Sequence, residues 1–171
     1  MRCFIGISLE AGALSSVVKL QDSLAKNGYR GNFTAKSNIH ITLSFLGEQN
    51  EAQVNKICKI MEKIDFSEFL IKISKITNLK DMVILEIDKT KELLSIQKKI
   101  NDDLIEAGFD VDKKEYYPHI TLVRRCLDRI DKEVSIESKI NRIILFESKR
   151  VDINGKSVLQ YLKIYEKNKN E

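Results

Sequence analysis

NIHITLSFLGE, residues Asn38–Glu48, and YPHITLVRR, residues Tyr117–Arg125, are the two stretches that decide the fold. They share the tetrapeptide His-Ile-Thr-Leu, and together they hold both histidines of the 171-residue chain. Strict alternation of apolar and polar side chains in the first stretch predicts a β-strand. One face would carry Ile39, Ile41, Leu43 and Phe45, and the other His40, Thr42 and Ser44.

The repeated motif predicts how its polar side chains are arranged. Residues two apart in a strand point to the same side, so His40 shares a face with Thr42, and His119 with Thr121. Each pair presents an imidazole and a hydroxyl about 7 Å apart, from a rise of ~3.3 Å per residue. We expect two similar lobes, related by an approximate two-fold axis, whose duplicated strands lie side by side or face one cleft.

The remaining sequence predicts an α+β fold. Apolar periodicity gives the order β-α-β-α-β, followed by β-α-β and a closing hairpin at Asn154-Gly155. Asn27-Gly28 and Gly108 are the stop signals of the first and last helices, whereas residues 127–139 are ambiguous. Helices are few relative to strands, so we expect one bilobal domain over residues 1–171, with mostly antiparallel, duplicated sheets and flanking helices around a central cleft.

Composition excludes several other classes of protein. The 29 Lys and Arg residues against 25 Asp and Glu give a net charge of +4, which permits a polyanionic ligand without requiring one. The three cysteines, Cys3, Cys58 and Cys126, have no metal-ligand spacing and indicate buried thiols in a reducing compartment. No signal peptide or apolar run of ~20 residues is found, so a cytoplasmic protein without membrane contact is expected.

Two histidines and two hydroxyls around a cleft are suited to phosphoryl transfer without metal. With a pKa near ~6.5, one imidazole can remove a proton from water while the other, protonated, supplies one to the leaving oxygen. The hydroxyls of Thr42 and Thr121 would hold the non-bridging phosphate oxygens, and an arginine would offset the developing charge. Arg124 and Arg125 directly follow the second motif.

The sequence resembles the two-histidine phosphoesterase superfamily, whose signature is a pair of H-x-[ST]-x motifs. Within it, the chain is most similar to the RNA 2′,3′-cyclic phosphodiesterases, also known as 2′-5′ RNA ligases. The likeness includes RCFIGISL near the start, NIHITLSFLGE, AGF before the second motif, PHITLVR, and the ending ILFESKRVDINGKSVLQYL.

The resemblance implies hydrolysis of an RNA 2′,3′-cyclic phosphate to a 2′-phosphate, with no metal or other cofactor. His40 matches the proton donor to the leaving 3′-oxygen and His119 the proton acceptor. Thr42, Thr121 and Arg124 match phosphate-binding residues, and Phe33 matches an aromatic that stacks on a base. The expected partner is RNA with a cyclic phosphate end, such as a tRNA fragment, or a cyclic nucleotide, and the protein is expected to be a monomer.

Several alternatives remain open from the sequence. Simple alternation from His119 puts Arg125 on the catalytic face, so Arg124 requires that the strand ends or bulges there. The same residues could join RNA ends as a 2′-5′ ligase. A non-catalytic RNA-end binding protein, or a relative that opens cyclic phosphates on small molecules such as nucleotides or ADP-ribose, would also fit the motifs.

Overall fold

The computed structural model describes residues 1–170, which form three α-helices, one short 3-10 helix and nine strands. The strands are β1 (Arg2–Ile7), β2 (Asn32–Phe33), β3 (Ile41–Glu48), β4 (Phe69–Leu79), β5 (Met82–Ile87), β6 (His119–Arg124), β7 (Lys132–Ile140), β8 (Arg142–Ile153) and β9 (Lys156–Asn168). The α-helices are α1 (Ala11–Lys26), α2 (Glu51–Glu62) and α3 (Lys91–Glu106), and the 3-10 helix is Lys36–Asn38.

The strands form two antiparallel sheets. The first has the order β3-β1-β8-β9, and the second has the order β2-β6-β5-β4-β7. One histidine motif lies at β3 and the other at β6, so the duplicated strands belong to different sheets. The predicted α+β class with mostly antiparallel, duplicated sheets is therefore confirmed, and the two motifs face each other instead of lying side by side.

Two helices pack against the sheet opposite the one they follow in the chain. Helix α1 follows β1 of the first sheet but contacts β7 of the second, whereas α3 follows β5 of the second sheet and contacts both β3 of the first and β4 of the second. The apolar stripe of α3 is buried as predicted, with Leu93, Ile96, Ile100 and Leu104 each at most 6% exposed. Both sheets contribute to one continuous hydrophobic core, so the two lobes are fixed relative to each other.

Local signals in the sequence account for the helix ends. Asn50 caps α2 through a capping box with Gln53, and the Thr90 hydroxyl accepts from a first-turn amide of α3. Gly28 and Gly108, predicted as stop signals, follow α1 and α3 with φ angles of 85° and 91°, a conformation that suits glycine. None of the helices within residues 1–170 has the length and apolar character needed to span a membrane.

Strand β3 carries a bulge inside the first motif. Thr42 is opposite Gly6 of β1, but the next pair along the ladder is Ser44 with Ile5, so Leu43 is an extra residue. The extra residue reverses the alternation that follows it. The sequence prediction was therefore wrong for two side chains: Ser44 is buried, at 4% exposure, whereas Phe45 is 44% exposed on the cleft side.

Strand β6 carries the same bulge in the second motif. Thr121 is opposite Ile84 of β5, and the next pair is Val123 with Val83, so Leu122 is the extra residue. Both bulges occur at the leucine of His-Ile-Thr-Leu. The internal two-fold relation thus extends to this irregularity of the backbone, and it brings the fifth residue after each histidine onto the cleft face.

Two parts of the second sheet were not predicted from the sequence. The ambiguous residues 127–139 contain most of β7, an edge strand with mainly exposed side chains. The two-residue strand β2 is too short to produce a periodic pattern. It pairs Asn32 with Arg124 and Phe33 with Val123, and so it covers the free edge of the strand that carries the second motif.

Candidate active site

The two histidine rings are held in the same way. Nδ1 of His40 donates to the backbone carbonyl of Asn38 at 2.7 Å, and Nδ1 of His119 donates to the carbonyl of Tyr117 at 2.7 Å. In both cases the acceptor is the carbonyl two residues earlier, which fixes the proton of the neutral ring on Nδ1. Nε2 is then the nitrogen available for proton transfer on each ring.

Asn38 anchors the first histidine to the opposite edge of its sheet. Its Nδ2 donates to the carbonyl of Leu159 at 2.8 Å, and its Oδ1 accepts from the amide of Tyr161 at 3.2 Å. The side chain is buried, with 7% exposure, so these are bonds that water does not replace. Asn38 thus connects the short helix before β3 to β9 while its own carbonyl orients His40.

One cleft of about 630 Å³ contains the polar residues of both motifs. It is lined by His40 and Thr42 from the first lobe and by His119, Thr121 and Arg124 from the second. Nε2 of His40 lies 3.0 Å from Oγ1 of Thr42, so the separation of ~7 Å expected from the strand rise was wrong for these two groups, because their side chains lean toward each other. The structure therefore brings together five of the six residues singled out from the sequence around one space between the lobes.

Phe33, the sixth residue, lies in an adjoining cavity of about 370 Å³. This cavity shares His40, Thr121 and Arg124 with the main cleft, so the two spaces are continuous. The Phe33 ring is half-buried and contacts the hydrophobic core. The structure thus places the Phe33 ring beside the cleft that holds the two histidines.

The bulge at Leu122 determines which of Arg124 and Arg125 points into the cleft. Arg124 is the last residue of β6 and lines the cleft, where Nη1 lies 3.5 Å from the sulfur of Met82. Arg125 leaves the strand with a φ of 52°, and it does not line either cavity. In a strand without the bulge, simple alternation would place Arg125 on the cleft face and Arg124 on the opposite face.

Two glutamines, one in α1 and one in α3, donate hydrogen bonds to the backbone carbonyls of the bulged leucines. Nε2 of Gln21 in α1 donates to the carbonyl of Leu122 at 3.0 Å and to that of Thr34 at 2.9 Å, and the side chain is 6% exposed. Nε2 of Gln97 in α3 donates to the carbonyl of Leu43 at 3.4 Å, a longer bond. Each lobe thus supports the irregular strand of the other, and Gln21 positions Arg124 through the backbone.

Replacing Gln21 with leucine is expected to lower kcat/KM about 10-fold, because the Thr34 carbonyl loses its donor, the Leu122 carbonyl retains the Thr34 amide but loses its second donor, and the bulge that places Arg124 relaxes. The test is a double-mutant cycle with Arg124→Asn, in which the loss caused by Gln21→Leu should largely disappear. A purely structural role for Gln21 would give the same loss in both backgrounds. Urea unfolding of each variant checks that the compared proteins are folded.

The comparisons with known proteins agree with this geometry. The family described as LigT like phosphoesterase matches residues 7–82, which include the first motif. An RNA 2′,3′-cyclic phosphodiesterase of Methanocaldococcus jannaschii is 27% identical over 167 residues, covering 96% of this chain and 90% of the relative. The enzyme of the same name from Bacillus subtilis is 37% identical over 95 residues, 50% of this chain and 51% of that protein, so the match spans about half of its length. These matches make the chain similar to the LigT-like phosphoesterases.

Solved structures show the same fold over nearly the whole chain. Escherichia coli LigT complexed with 3′-AMP superimposes with a TM-score of 0.83 at 18% identity, covering 99% of this chain and 98% of that one. A protein from Thermus thermophilus gives a TM-score of 0.84 at 17% identity, covering 98% of this chain and 97% of that one. At these identities the likeness establishes the shared bilobal fold of the LigT-like phosphoesterases.

The two histidines have different surroundings. The ring of His40 lies against aromatic rings, 4.8 Å from Phe4 and 4.9 Å from Tyr161 between centroids. Burial among them lowers the pKa of His40 to about 4, and the positive fields of Arg124 and His119 act in the same direction. The bond to the Asn38 carbonyl opposes this shift but does not outweigh it. These surroundings therefore keep His40 neutral near pH 7.

His119 lies beside a tyrosine that is itself held by a carboxylate. The Tyr117 ring centroid is 5.4 Å from that of His119, and the Tyr117 hydroxyl donates to Glu86 at 3.0 Å. Burial and this carboxylate raise the pKa of Tyr117 to about 12. Tyr117 thus remains protonated, and it orients His119 with its backbone carbonyl while its side chain is fixed to β5.

The low pKa of His40 predicts a pH dependence of stability. The folded pKa of about 4 lies below the value of ~6.5 for an unfolded chain, so between these values the unfolded chain binds the proton more readily. The free energy of unfolding should therefore decrease as pH falls from about 6.5 to about 4. Urea titrations at several pH values measure this free energy, and in His40→Asn the part of the decrease that comes from His40 should be absent. An identical pH dependence in the wild-type protein and the variant would contradict the prediction.

Sequence reasoning missed several residues that line the cleft. They are Arg2, Phe4, Phe45, Ser148, Arg150, Leu159 and Tyr161. A signal for two of them was present, because Arg2 and Phe4 alternate with the buried Cys3 and Ile5 along β1. The residues of β8 and β9 could not be assigned in this way, because nothing in the sequence states that these strands adjoin the first motif.

Proposed function

We propose that this protein hydrolyses 2′,3′-cyclic phosphate ends of RNA to 2′-phosphates without a metal ion. The observation that supports the proposal most directly is the composition of the cleft: two imidazoles, two threonines and three arginines line it, and no carboxylate within residues 1–170 does. Such a lining attracts an anionic phosphodiester and places two imidazoles where they can transfer protons. The names of the relatives support the same reaction.

In the proposed reaction the two histidines act on opposite sides of one phosphorus atom. Nε2 of His119 removes a proton from water, and the water oxygen forms a bond to phosphorus. The bond from phosphorus to the 3′-oxygen breaks, and Nε2 of His40 gives a proton to that oxygen. The phosphate remains on the 2′-oxygen, and the hydroxyls of Thr42 and Thr121 with the Arg124 guanidinium bind its non-bridging oxygens.

Binding of the substrate prepares His40 for its role. A proton donor must be protonated, whereas burial lowers the pKa of His40 to about 4. The phosphodiester brings a negative charge next to the ring, and an opposite charge within ~4–6 Å favours the protonated form. The same anion offsets the field of Arg124. His40 therefore gains its proton together with the substrate, and it returns to the neutral state when it gives that proton to the 3′-oxygen.

Phosphorus NMR of a short RNA ending in a 2′,3′-cyclic phosphate, incubated with the protein in EDTA, tests the proposal. The cyclic phosphate signal should be replaced by that of a 2′-phosphomonoester. A 3′-phosphate product would reverse the assignment of the leaving oxygen. Absence of turnover combined with tight binding of the RNA would favour the non-catalytic RNA-end binding protein.

Ligation of RNA ends is a second candidate, favoured by a further cavity of about 360 Å³ on the side of His119. Its lining includes Ser44 and Asn101, whose side-chain oxygens Oγ and Oδ1 are buried without a hydrogen-bond partner in residues 1–170. A 5′-hydroxyl nucleoside bound there could attack phosphorus in place of water. Incubation of a cyclic-phosphate RNA with a 5′-hydroxyl RNA, followed by analysis of the 2′-5′-linked product, measures the fraction of turnover that is ligation and not hydrolysis.

A cytosolic location is part of the proposal. Cys3, Cys58 and Cys126 are all free thiols, and Cys3 and Cys126 are buried. Unpaired, buried cysteines are typical of proteins in a reducing compartment. In the cytosol the protein would encounter RNA that ends in a 2′,3′-cyclic phosphate, its proposed substrate.

A further inference from the structure

Two arginines outside the histidine motifs line the same cleft. Arg2 lies in β1 and Arg150 in β8. Arg2 is opposite Ser148 in the ladder between these strands, and Arg150 is two residues beyond Ser148, on the same face. Diagonal neighbours of this kind are about 7–8 Å apart, so the two long side chains can reach one anion.

The charges of these arginines are not offset by acidic side chains. Within residues 1–170, Arg2, Arg124 and Arg150 take part in no ion pair. Glu48, the register partner of Arg2, instead pairs with the N-terminal amine at 3.3 Å. Three guanidinium groups therefore face one concave surface, which concentrates positive potential there.

Both side chains have positions that favour a ligand next to the catalytic phosphate. The guanidinium carbon of Arg2 lies 5.1 Å above the ring centroid of Phe45, a cation–π contact that restricts its motion before a ligand arrives. Arg150 lines both the catalytic cleft and the cavity that contains Phe33. It thus lies where the two spaces join, between the proposed sites of the scissile phosphate and of the terminal base.

The number of charges in the cleft indicates that Arg2 and Arg150 do not bind the reacting phosphate. The cyclic phosphodiester carries one negative charge, and Arg124 with the two threonines and two histidines already surrounds it. Arg2 and Arg150 provide two further positive charges. In an RNA strand, the next anion along the chain is the phosphodiester on the 5′ side of the terminal nucleotide, whereas a cyclic mononucleotide has no such group.

We propose that Arg2 and Arg150 form a subsite for the phosphodiester on the 5′ side of the terminal nucleotide. This inference rests on the proposed function, because it takes the cyclic phosphate to lie between the histidines. The subsite selects oligoribonucleotide ends over cyclic mononucleotides. Arginine suits this task because its planar group can donate two parallel hydrogen bonds to a phosphate.

Steady-state kinetics on a nucleoside 2′,3′-cyclic phosphate and on a dinucleotide with the same terminal base test the subsite. The wild-type protein should prefer the dinucleotide about 10- to 100-fold in kcat/KM, the range of one or two charge-assisted hydrogen bonds. Arg2→Gln and Arg150→Gln should reduce this ratio, mainly through KM, and flatten the salt dependence for the longer substrate. Arg142→Gln is the matched control, since Arg142 also lies in β8 but pairs with Glu166 at 3.7 Å and does not line the cleft.

Two results would overturn the subsite. One is a wild-type protein without preference for the dinucleotide. The other is an equal loss on both substrates in the arginine variants, which would assign Arg2 and Arg150 to the catalytic phosphate. Equilibrium binding of a dinucleotide and a mononucleotide that end in a 3′-phosphate provides a readout without turnover. Even if no cyclic phosphate is hydrolysed, weaker dinucleotide binding by Arg150→Gln supports the subsite, and unchanged binding contradicts it.

Discussion

Replacing either histidine with asparagine is expected to lower kcat/KM on a cyclic-phosphate RNA by about 10²- to 10⁴-fold, the usual contribution of a positioned acid or base. Asparagine is the informative substitution, because its amide can still donate to the carbonyl of Asn38 or Tyr117 that now accepts from the ring. The variants then lack the imidazole and its Nε2 but can keep the hydrogen bond to the backbone. Rapid-quench kinetics of His40→Asn and His119→Asn, with urea unfolding as the control for folding, measure the effect.

The double variant gives a sharper result than either single one. If both rings act on one phosphorus atom, the loss in the double variant should be far smaller than the product of the two single losses, because groups that act as a unit are not additive. Multiplicative losses would indicate that the rings contribute independently. Full activity in either single variant would contradict the proposed reaction altogether.

Replacing Arg124 with asparagine is expected to lower kcat by about 10²- to 10³-fold, as for removal of one group that stabilises a developing oxyanion. The matched control is Arg125→Asn, which removes the same charge one residue away and should remain near wild-type activity. Asparagine tolerates the left-handed conformation that Arg125 adopts, with φ of 52°, so the control adds little strain. Steady-state kinetics of both variants at one salt concentration provides the comparison.

The reverse order of effects would contradict the bulge at Leu122. In an uninterrupted strand Arg125 would share the face of His119 and Thr121, and Arg124 would point away. Loss of activity in Arg125→Asn alone would therefore mean that the strand is regular in solution. Equal, small losses in both variants would mean that neither arginine binds the reacting phosphate.

The sequence was sufficient for the class of fold because its signals are local. Helix α3 shows the complete pattern, with an apolar stripe of four buried residues, a cap at Thr90 and a stop at Gly108. The repeated tetrapeptide added the internal symmetry, which no periodicity could supply. These features depend on residues close together in the chain, and so they are visible without knowledge of tertiary contacts.

The bulges limited what could be predicted of the site. Ser44 and Phe45 were assigned to the wrong faces because alternation was continued through Leu43. A bulge depends on the partner strand and, here, on a glutamine from a distant helix, such as Gln21 at the carbonyl of Leu122. Neither the partner strand nor the glutamine lies close to the motif in the sequence. The choice between Arg124 and Arg125 depended on the same irregularity and could be made from the sequence only by resemblance.

Strand β7 and the arginine subsite were missed for another reason. Most side chains of β7 are exposed, so its apolar alternation is weak, and its identity as a strand depends on pairing with β4. Arg150 is separated from His40 by more than one hundred residues and reaches the cleft only because β8 pairs with β1. Its position is a consequence of the order of strands in the sheet, which one sequence without tertiary information does not specify.

The central claim, that His40 and His119 act on opposite ends of one P–O exchange, is tested most directly with a substrate whose 3′-bridging oxygen is replaced by sulfur. A thiolate leaves without a proton, since a thiol has a pKa of about 8.5, far below that of an alcohol. We predict that the sulfur substrate restores hydrolysis by His40→Asn to near the wild-type rate and leaves His119→Asn inactive. Restoration of His119→Asn instead, or of neither variant, would contradict the account.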